Sequence, residues 1–193
     1  MLNILLCGVG GQGTVLASKI LAGSAIMQGQ DAHTAETIGM AQRGGSVTSH
    51  VRLGDGVCSP LIPLGQADLI IAFEPAEAVR NLPYLKEGGT VVVSNTAVKP
   101  VTDALSASDY SGEEMLAYLR GEAIRLIEVD GEGLIRTCGS AKVLNMALLG
   151  AAAASGEMNI TPEDLCSIIR TTLPEKFHEM NLKAVELGAQ SVH

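Results

Sequence analysis

Four glycines lie close together near the start of the chain, in the stretch LLCGVGGQGT. Gly8, Gly10 and Gly13 have the G-x-G-x-x-G spacing of phosphate-binding turns, and Gly11 adds a further glycine. Glycine permits a tight turn and the close approach of a ligand. A helix beginning near Gln12 would offer free N–H groups and a partial positive charge to a phosphate. The spacing therefore favours a phosphate or cofactor here, although a turn that only packs a strand against a helix would use the same glycines.

The stretch GMAQRGGSVTSHVR, residues 39–52, contains a second candidate group. Arg43 is followed directly by Gly44 and Gly45, and a strand-like run comes after them. A planar guanidinium can hold a phosphate or a carboxylate through two parallel hydrogen bonds. An arginine in solvent, or one that bridges two subunits, would fit the same residues. The pattern alone leaves these roles open.

A protein that binds NAD is expected to carry an acidic residue at the end of its second strand, where it holds the ribose. Glu36 lies 23 residues after Gly13, but the polar stretch AETIGMAQRGG then occupies the place where a βαβ unit needs a helix. The glycine turn is therefore not expected to bind NAD in the usual way. A free-standing nucleotide-binding regulatory domain that uses this turn is the alternative function.

Asn145 interrupts an otherwise apolar helical stretch, with Ala141, Leu149 and Ala152 near it on one face. A buried amide has to be hydrogen-bonded. Two interpretations follow: the amide ties a nearby loop carbonyl, or it reaches the glycine turn or its ligand. The four histidines show no metal-ligand spacing and no motif supports Ser–His–Asp catalysis, so neither a metal site nor a catalytic residue is predicted.

The composition narrows the classes of function. The net charge is −8, and aromatic residues make up only 3% of the 193 residues. A nucleic-acid-binding protein needs a basic surface and often an aromatic platform for bases, so no nucleic-acid partner is expected. The apolar fraction of 47% is enough for a substantial core, filled mainly by small and aliphatic residues.

The four cysteines are widely separated and form no CxxC pair. This spacing argues against an iron–sulfur cluster or a structural zinc carried by this chain alone. The cysteines fit small core residues in a reducing compartment. The N-terminus lacks the basic segment of a signal peptide, and the apolar stretch AKVLNMALLGAAAASG is too short for a membrane span. The protein is therefore predicted to be cytoplasmic.

Apolar runs bounded by turn residues predict the elements that would position these side chains. Strands are predicted at residues 2–8, 31–37, 46–54, 67–75, 88–95 and 123–131, the third of them as an extended strand or hairpin arm. Helices are predicted at residues 11–30, 76–87, 111–121, 139–156, 161–173 and 174–188, the second broken near Pro83. Ser111 and Thr161 are predicted to cap their helices. The order indicates an α/β fold: a doubly wound, mostly parallel Rossmann-like sheet with a helical C-terminal layer.

The stretches GVGGQGTVLASKILAGSA and ETIGMAQRGGSVTSHVRLG together resemble the gamma-type subunits of 2-oxoacid:ferredoxin oxidoreductases. Within that family, the GMAQRGG form is typical of the beta subunit of indolepyruvate ferredoxin oxidoreductase, to which the resemblance is strongest. The resemblance extends over almost the whole chain and includes GSAKVLNMALLGA, where an Asn-containing helix recurs in the family. It implies one pyruvate/ketoacid oxidoreductase gamma-type domain over residues 1–193.

The resemblance also implies an assembly. Enzymes of this family decarboxylate a 2-oxoacid oxidatively, usually to an acyl-CoA. They bind thiamine diphosphate mainly in other subunits and pass electrons through iron–sulfur clusters to ferredoxin. The gamma-type domain borders the active site and is associated with coenzyme A as co-substrate. The chain would then be an accessory subunit that binds no cofactor tightly and is inactive alone, with a large thiamine- and cluster-bearing partner. Aryl pyruvates are the first substrate choice, while short and branched 2-oxoacids remain open.

Roles for individual residues follow from the same resemblance. Arg43 would pair with a phosphate of coenzyme A or with the substrate carboxylate, or would lie at the subunit interface. Gln42 and Glu36 would orient Arg43 or bond the ligand, although Glu36 is equally well explained as a structural acid paired with Arg43. Met40 would supply an adaptable apolar contact, and the two glycines after Arg43 would let the backbone approach the ligand or the partner subunit. The complete set of candidate cofactor-binding residues is Gly8, Gly10, Gly11, Gln12, Gly13, Glu36, Met40, Gln42, Arg43, Gly44, Gly45 and Asn145.

Overall fold

A computed structural model describes residues 1–38, 44–98 and 110–192 of the chain. Its strands are β1 (Leu2–Val9), β2 (Ala32–Ile38), β3 (Ser46–Leu53), β4 (Ala67–Ala72), β5 (Leu85–Ser94) and β6 (Arg125–Val129). Each of these strands coincides with a predicted one, apart from shifts at the ends. Short apolar runs, together with the weaker pattern at β2 and the alternating one at β3, were therefore sufficient to locate the strands.

The strands form one sheet in the order β2-β3-β1-β4-β5-β6. The pairs β1/β4, β4/β5 and β5/β6 are parallel, whereas β3 is antiparallel to both β1 and β2. The prediction of a mostly parallel sheet is confirmed, and β3 is the hairpin arm among the two alternatives for that segment. A hairpin thus stands where a dinucleotide-binding fold would continue with a helix and a parallel strand.

The helices are α1 (Thr14–Met27), α2 (Pro75–Asn81), α3 (Gly112–Arg120), α4 (Gly131–Cys138), α5 (Leu144–Ala154), α6 (Pro162–Thr172) and α7 (His178–Gln190). Short 3₁₀ turns at Leu82–Tyr84, Ala141–Val143 and Glu175–Phe177 adjoin α2, α5 and α7. Helix α2 ends at Asn81, so the predicted break near Pro83 is confirmed. The predicted continuation of the helix to residue 87 is wrong, because β5 begins at Leu85. Helix α4 was not predicted, because its sequence GEGLIRTC is short and contains two glycines; the Asp130 side chain caps it by accepting from the Gly133 N–H at 3.1 Å.

Helices cover both faces of the sheet, which makes it doubly wound, and alternate residues of each strand face the two layers. Ile4 and Leu6 of β1 lie in the core formed with α1, α5, α6 and α7. Leu5 and Cys7 of the same strand lie in the core beneath α2 and α3. The predicted helical C-terminal layer is therefore confirmed, and it covers one face of the sheet.

Helices α5 and α7 pack with their backbones almost in contact. A Cβ atom added to Gly150 would lie 2.1 Å from the carbonyl oxygen of Val185. One added to Gly188 would lie 1.8 Å from the carbonyl oxygen of Ala147. These two glycines are thus required by helix packing rather than by backbone conformation, and they hold α5 in place on the sheet.

The two predicted helix caps have different outcomes. Thr161 forms a capping box with Asp164: its hydroxyl accepts from the Asp164 N–H at 3.2 Å, and the Asp164 carboxylate accepts from the Thr161 N–H at 2.8 Å. Ser111 occupies the N-cap position of α3, but its side chain makes no capping hydrogen bond within the described part of the chain. None of the helices in these ranges has the length and hydropathy needed to cross a membrane.

Candidate functional site

The candidate residues gather at one edge of the sheet. The carboxyl ends of the parallel strands β1 and β4 meet there, and the amino end of β3 joins them because Val9 pairs with Ser46. The glycine turn follows β1, and Gly44 and Gly45 precede β3. In open α/β sheets, ligands bind outside the carboxyl ends of the strands. The topology thus places both glycine-containing segments where a ligand would be expected.

The glycine turn is closed by the side chain of Gln12. Its Oε1 accepts from the Val9 N–H at 2.8 Å, and its Nε2 donates to the carbonyl oxygen of Phe73 at 3.0 Å. Strand β1 continues to Val9, and helix α1 begins only at Thr14, two residues later than predicted. Gln12 therefore ties the turn to the end of β4, and both ends of its amide are used within the protein.

The glycines of the turn serve different purposes. A Cβ atom at Gly8 would lie 2.7 Å from Gln12 Oε1, and one at Gly13 would lie 2.6 Å from Asn145 Nδ2. These two positions are explained by internal packing. Gly11 has a φ of +103° and is exposed. Apart from its two chain neighbours, no atom of the described residues lies within 4 Å of the position that its Cβ would occupy. The packing interpretation of the motif is therefore confirmed for Gly8 and Gly13. Gly11 leaves space beside the turn, and the binding of a phosphate or cofactor there stays a prediction.

Asn145 connects the C-terminal layer to this turn. The residue is only 3% exposed, and its Nδ2 donates to the carbonyl oxygen of Gly13 at 3.3 Å. Gly13 is the N-cap of α1 and has a left-handed φ of 83°. The two interpretations of Asn145 thus describe one bond, because the loop carbonyl that it ties belongs to the glycine turn itself.

The glycine turn and the second glycine pair are joined by backbone hydrogen bonds. The Gly10 N–H donates to the Gly45 carbonyl oxygen at 2.8 Å, and the Gly44 N–H donates to the Gly10 carbonyl oxygen at 3.3 Å. Residues 44 and 45 are therefore held on the turn. Met40, Gln42 and Arg43 lie outside the described residues, so their roles stay predictions.

Glu36 lies on β2 with an exposed side chain that faces α1. Its Oε1 accepts from the Ser18 hydroxyl at 3.3 Å. Ser49 stands opposite Glu36 in the strand register and is completely buried. Glu36 therefore has a partner on α1 that the sequence did not indicate, and the proposed pairing with Arg43 stays a prediction.

Two buried carboxyl groups beside this edge were missed by sequence reasoning. Glu74 and Glu77 are 2% and 3% exposed. Glu74 is the N-cap of α2 and accepts from the Glu77 N–H at 3.1 Å, while the Tyr110 hydroxyl bonds to its other oxygen. The tripeptide Phe-Glu-Pro was the available signal, since an acid directly before a proline at the first helical position suits a helix start.

Burial raises the pKa of Glu74 above its ordinary value, although hydrogen bonds from Tyr110 and from backbone N–H groups act in the opposite direction. Burial, together with the neighbouring Glu74 carboxyl, also raises the pKa of Tyr110. The buried carboxyl thus favours its neutral form compared with an exposed glutamate.

This pKa shift predicts a pH dependence of stability. Because the pKa of Glu74 is raised in the folded state, the carboxyl contributes its full stability below about pH 4.5, the ordinary pKa of a glutamate. This contribution to stability is lost as the pH rises through the folded-state pKa. We expect the free energy of unfolding of the wild type to fall relative to that of Glu74→Gln over this range. Urea titrations from pH 4 upward would measure it, with Glu87→Gln as the control for an exposed carboxyl. A constant difference between wild type and Glu74→Gln at every pH would contradict the prediction.

The described residues hold no group of three or more His, Cys, Asp or Glu side chains that could bind a metal ion. Cys7 is buried, and Cys138 and Cys166 are partly buried. Cys58 is exposed, so the prediction of a core position is wrong for this residue, which lies in the loop between β3 and β4. Burial raises the pKa of the Cys7 thiol, with further contributions from Glu77 and Glu74. Cys7 therefore behaves as a small core residue, as its strand position predicts.

Comparisons with known proteins agree with the fold and the motifs. The sequence model of the pyruvate ferredoxin/flavodoxin oxidoreductase family matches residues 3–191. Indolepyruvate oxidoreductase subunit IorB of Archaeoglobus fulgidus is 39% identical over 188 residues, which cover 97% of this chain and 93% of the relative. The subunit of that name in Pyrococcus horikoshii is 34% identical over 191 residues, covering 98% and 95% of the two chains.

A solved structure supports the same assignment. The gamma subunit of a keto/oxoacid ferredoxin oxidoreductase from Geobacter sulfurreducens superposes with a TM-score of 0.72 at 26% identity, covering 99% of this chain and 98% of the other. The resemblance carried by the glycine turn and the GMAQRGG stretch is thereby confirmed over nearly the full length. The chain belongs to the pyruvate ferredoxin/flavodoxin oxidoreductase family, as a gamma-type subunit of the 2-oxoacid:ferredoxin oxidoreductases.

Proposed function

We propose that this chain is the accessory subunit of a thiamine diphosphate-dependent, cytoplasmic enzyme that oxidises indolepyruvate or another aryl pyruvate. The overall reaction converts a 2-oxoacid and coenzyme A into an acyl-CoA, carbon dioxide, a proton and two electrons for ferredoxin. Thiamine diphosphate and the iron–sulfur clusters would belong to a large partner subunit. The substrate class is supported by the relatives named indolepyruvate oxidoreductase subunit.

One observation carries the role of this chain: two glycine segments bonded to each other at the sheet edge, with Gly11 open beside the start of α1. Helix α1 has no acidic residue in its first turn, and no side-chain cap among the described residues occupies its N-terminus. These features suit an anionic group such as a phosphate of coenzyme A. Arg43, directly before Gly44 in the sequence, would add the positive charge that the backbone alone lacks.

A free-standing nucleotide-binding domain is the competing function. The β2–β3 hairpin argues against this function, because a dinucleotide-binding site needs the second βαβ unit that the hairpin replaces. Calorimetric titration of the isolated chain with NAD would discriminate the two. Micromolar binding would favour the competing function, whereas the accessory-subunit proposal expects no such binding.

The enzyme proposal is tested by isolating the native complex through this chain. We expect co-purification of a thiamine-containing subunit, and coenzyme A-dependent oxidation of aryl pyruvates with ferredoxin or a viologen dye as acceptor. Pyruvate, 2-oxoglutarate and a branched 2-oxoacid complete the substrate panel. The isolated chain should show no 2-oxoacid oxidation and should restore it when recombined with the large subunit. Full activity of the chain alone, or a complex without a thiamine enzyme, would overturn the proposal.

A further inference from the structure

A short side-chain hydrogen bond holds the residue directly after Gly45, in addition to the backbone bonds of the segment. The Ser46 hydroxyl donates to Glu77 Oε2 at 2.5 Å. This distance falls within the range of roughly 2.5–2.7 Å that is typical of a hydroxyl bound to a carboxylate. Glu77 belongs to α2, and Ser46 is the first residue of β3. The bond therefore links α2 to the segment that carries Gly44 and Gly45.

Glu77 is itself held in a fixed position. Its N–H donates to the Glu74 carboxylate at 3.1 Å, and its carbonyl oxygen accepts from the Asn81 side chain at 2.8 Å. The Cys7 thiol donates to the same carbonyl oxygen at 3.4 Å. Arg80 contacts the second carboxylate oxygen at 3.3 Å. The carboxylate thus meets Ser46 with little remaining freedom, which is what a positioning group needs.

Burial of this carboxylate is expensive for the fold. Glu77 is only 3% exposed, and taking a charged group out of water costs free energy that its partners must offset. An apolar residue at position 77 could anchor α2 without this cost. The acid instead places a strong acceptor next to the Gly44–Gly45 segment, in addition to the bonds that the segment makes with Gly10.

We propose that Glu77 is a positioning residue of the candidate site, which acts through Ser46 to hold the Gly44–Gly45 segment on the glycine turn for binding of coenzyme A. The inference rests on the proposed function, since coenzyme A is the ligand assigned to that edge. Among the described residues, the two backbone bonds with Gly10 and the bond from Ser46 to Glu77 then hold the segment, next to the pairing of Ser46 with Val9 in the sheet.

The kinetic test uses the assembled enzyme with Ser46→Ala, Glu77→Ala and the double variant. We expect KM for coenzyme A to rise about fivefold in Ser46→Ala, with kcat changed less than twofold, because the lost bond acts on the ligand only through the Gly44–Gly45 segment. The double variant should be no worse than Glu77→Ala alone, because both remove the same bond. Ser46→Thr, which keeps a hydroxyl, should restore the wild-type KM. An unchanged KM in Ser46→Ala, or additive effects of the two substitutions, would overturn the inference.

Ser167→Ala is the matched control, because this exposed serine on α6 bonds only locally, to the Glu163 carbonyl oxygen, at 2.9 Å. It should leave both kinetic constants unchanged. A Glu77→Ala variant that does not fold leaves Ser46→Ala and Ser46→Thr as the deciding pair.

A second measurement separates this inference from the proposed function. In Ser46→Ala, the amide hydrogens of Gly10 and Gly44 should exchange with solvent about fivefold faster, because both bonds lose their support. The Gly121 amide, bonded to Tyr118 at 3.0 Å, is the internal reference. If amide exchange is faster in Ser46→Ala but the assembled enzyme does not respond to coenzyme A, the proposed ligand is refuted and the positioning contact is retained. Unchanged exchange would refute the positioning contact itself.

Discussion

Gly188→Ala should lower the free energy of unfolding by about 3 kcal/mol, at the upper end of the cost of overpacking a core. The added Cβ would lie 1.8 Å from the Ala147 carbonyl oxygen, and a backbone atom cannot rotate away as a side chain can. Helices α5 and α7 would have to separate, and their buried alanine and valine contacts would be lost. Urea or thermal unfolding of the isolated chain would measure the change.

Gly121→Ala is the control for this prediction. Gly121 has a φ of −82°, and its added Cβ would lie 3.3 Å from the nearest atom, the Tyr118 carbonyl oxygen. The same substitution there should change stability by less than about 1 kcal/mol. Equal effects at the two positions would show that α5 and α7 are not packed as closely as described.

Separation of α5 and α7 in Gly188→Ala should also affect the candidate site. Asn145 lies on α5, two residues before Ala147, and its amide bonds the Gly13 carbonyl oxygen. A shift of α5 would weaken that bond. Coenzyme A affinity of the assembled enzyme should therefore fall in Gly188→Ala even where the chain remains folded, and a Gly188→Ala complex with wild-type KM would contradict this coupling.

Arg43→Ala should reduce kcat/KM of the assembled enzyme by about 10- to 100-fold. A hydrogen bond to a charged group contributes about 1.5–3 kcal/mol, and each 1.36 kcal/mol corresponds to tenfold in rate. The bonded Gly44–Gly45 pair follows Arg43 directly in the sequence, so the proposal assigns this cation to the anion at the glycine turn. Steady-state kinetics with varied coenzyme A and varied 2-oxoacid would show which anion it holds.

Two comparisons sharpen this prediction. Arg43→Lys keeps the charge but loses the planar fork, so it should recover only part of the activity if two parallel hydrogen bonds are made. Arg136→Ala, at an exposed position in the last turn of α4, controls for the loss of one positive charge. Wild-type kinetics in Arg43→Ala would remove Arg43 from the site, and weakened assembly with intact kinetics would assign it to the subunit interface.

Local sequence patterns were sufficient for most of the fold. Apolar runs of strand length lie at β1, β4 and β5, weaker or alternating patterns mark the other strands, and the capping box at Thr161 marks the start of α6. Such signals act over a few residues, so neighbours in the sequence carry all the information. The family motifs are equally local, since the glycine turn and the GMAQRGG stretch each occupy one short segment. Helix α4 was missed because its two glycines weaken the local helix signal.

The sequence by itself therefore determined the class of fold, the family and the segments of the candidate site. Only the tertiary structure decided the direction of β3, because an alternating strand pattern reads the same in parallel and antiparallel pairs. It also decided that Gly8 and Gly13 of the turn pack against other residues whereas Gly11 stays open. Gly13, for example, contacts Asn145, which is 132 residues away in the sequence. The buried acids Glu74 and Glu77 look like surface residues in the sequence, and their partners come from distant segments. Contacts of that kind depend on how the chain folds back on itself, which no local pattern records.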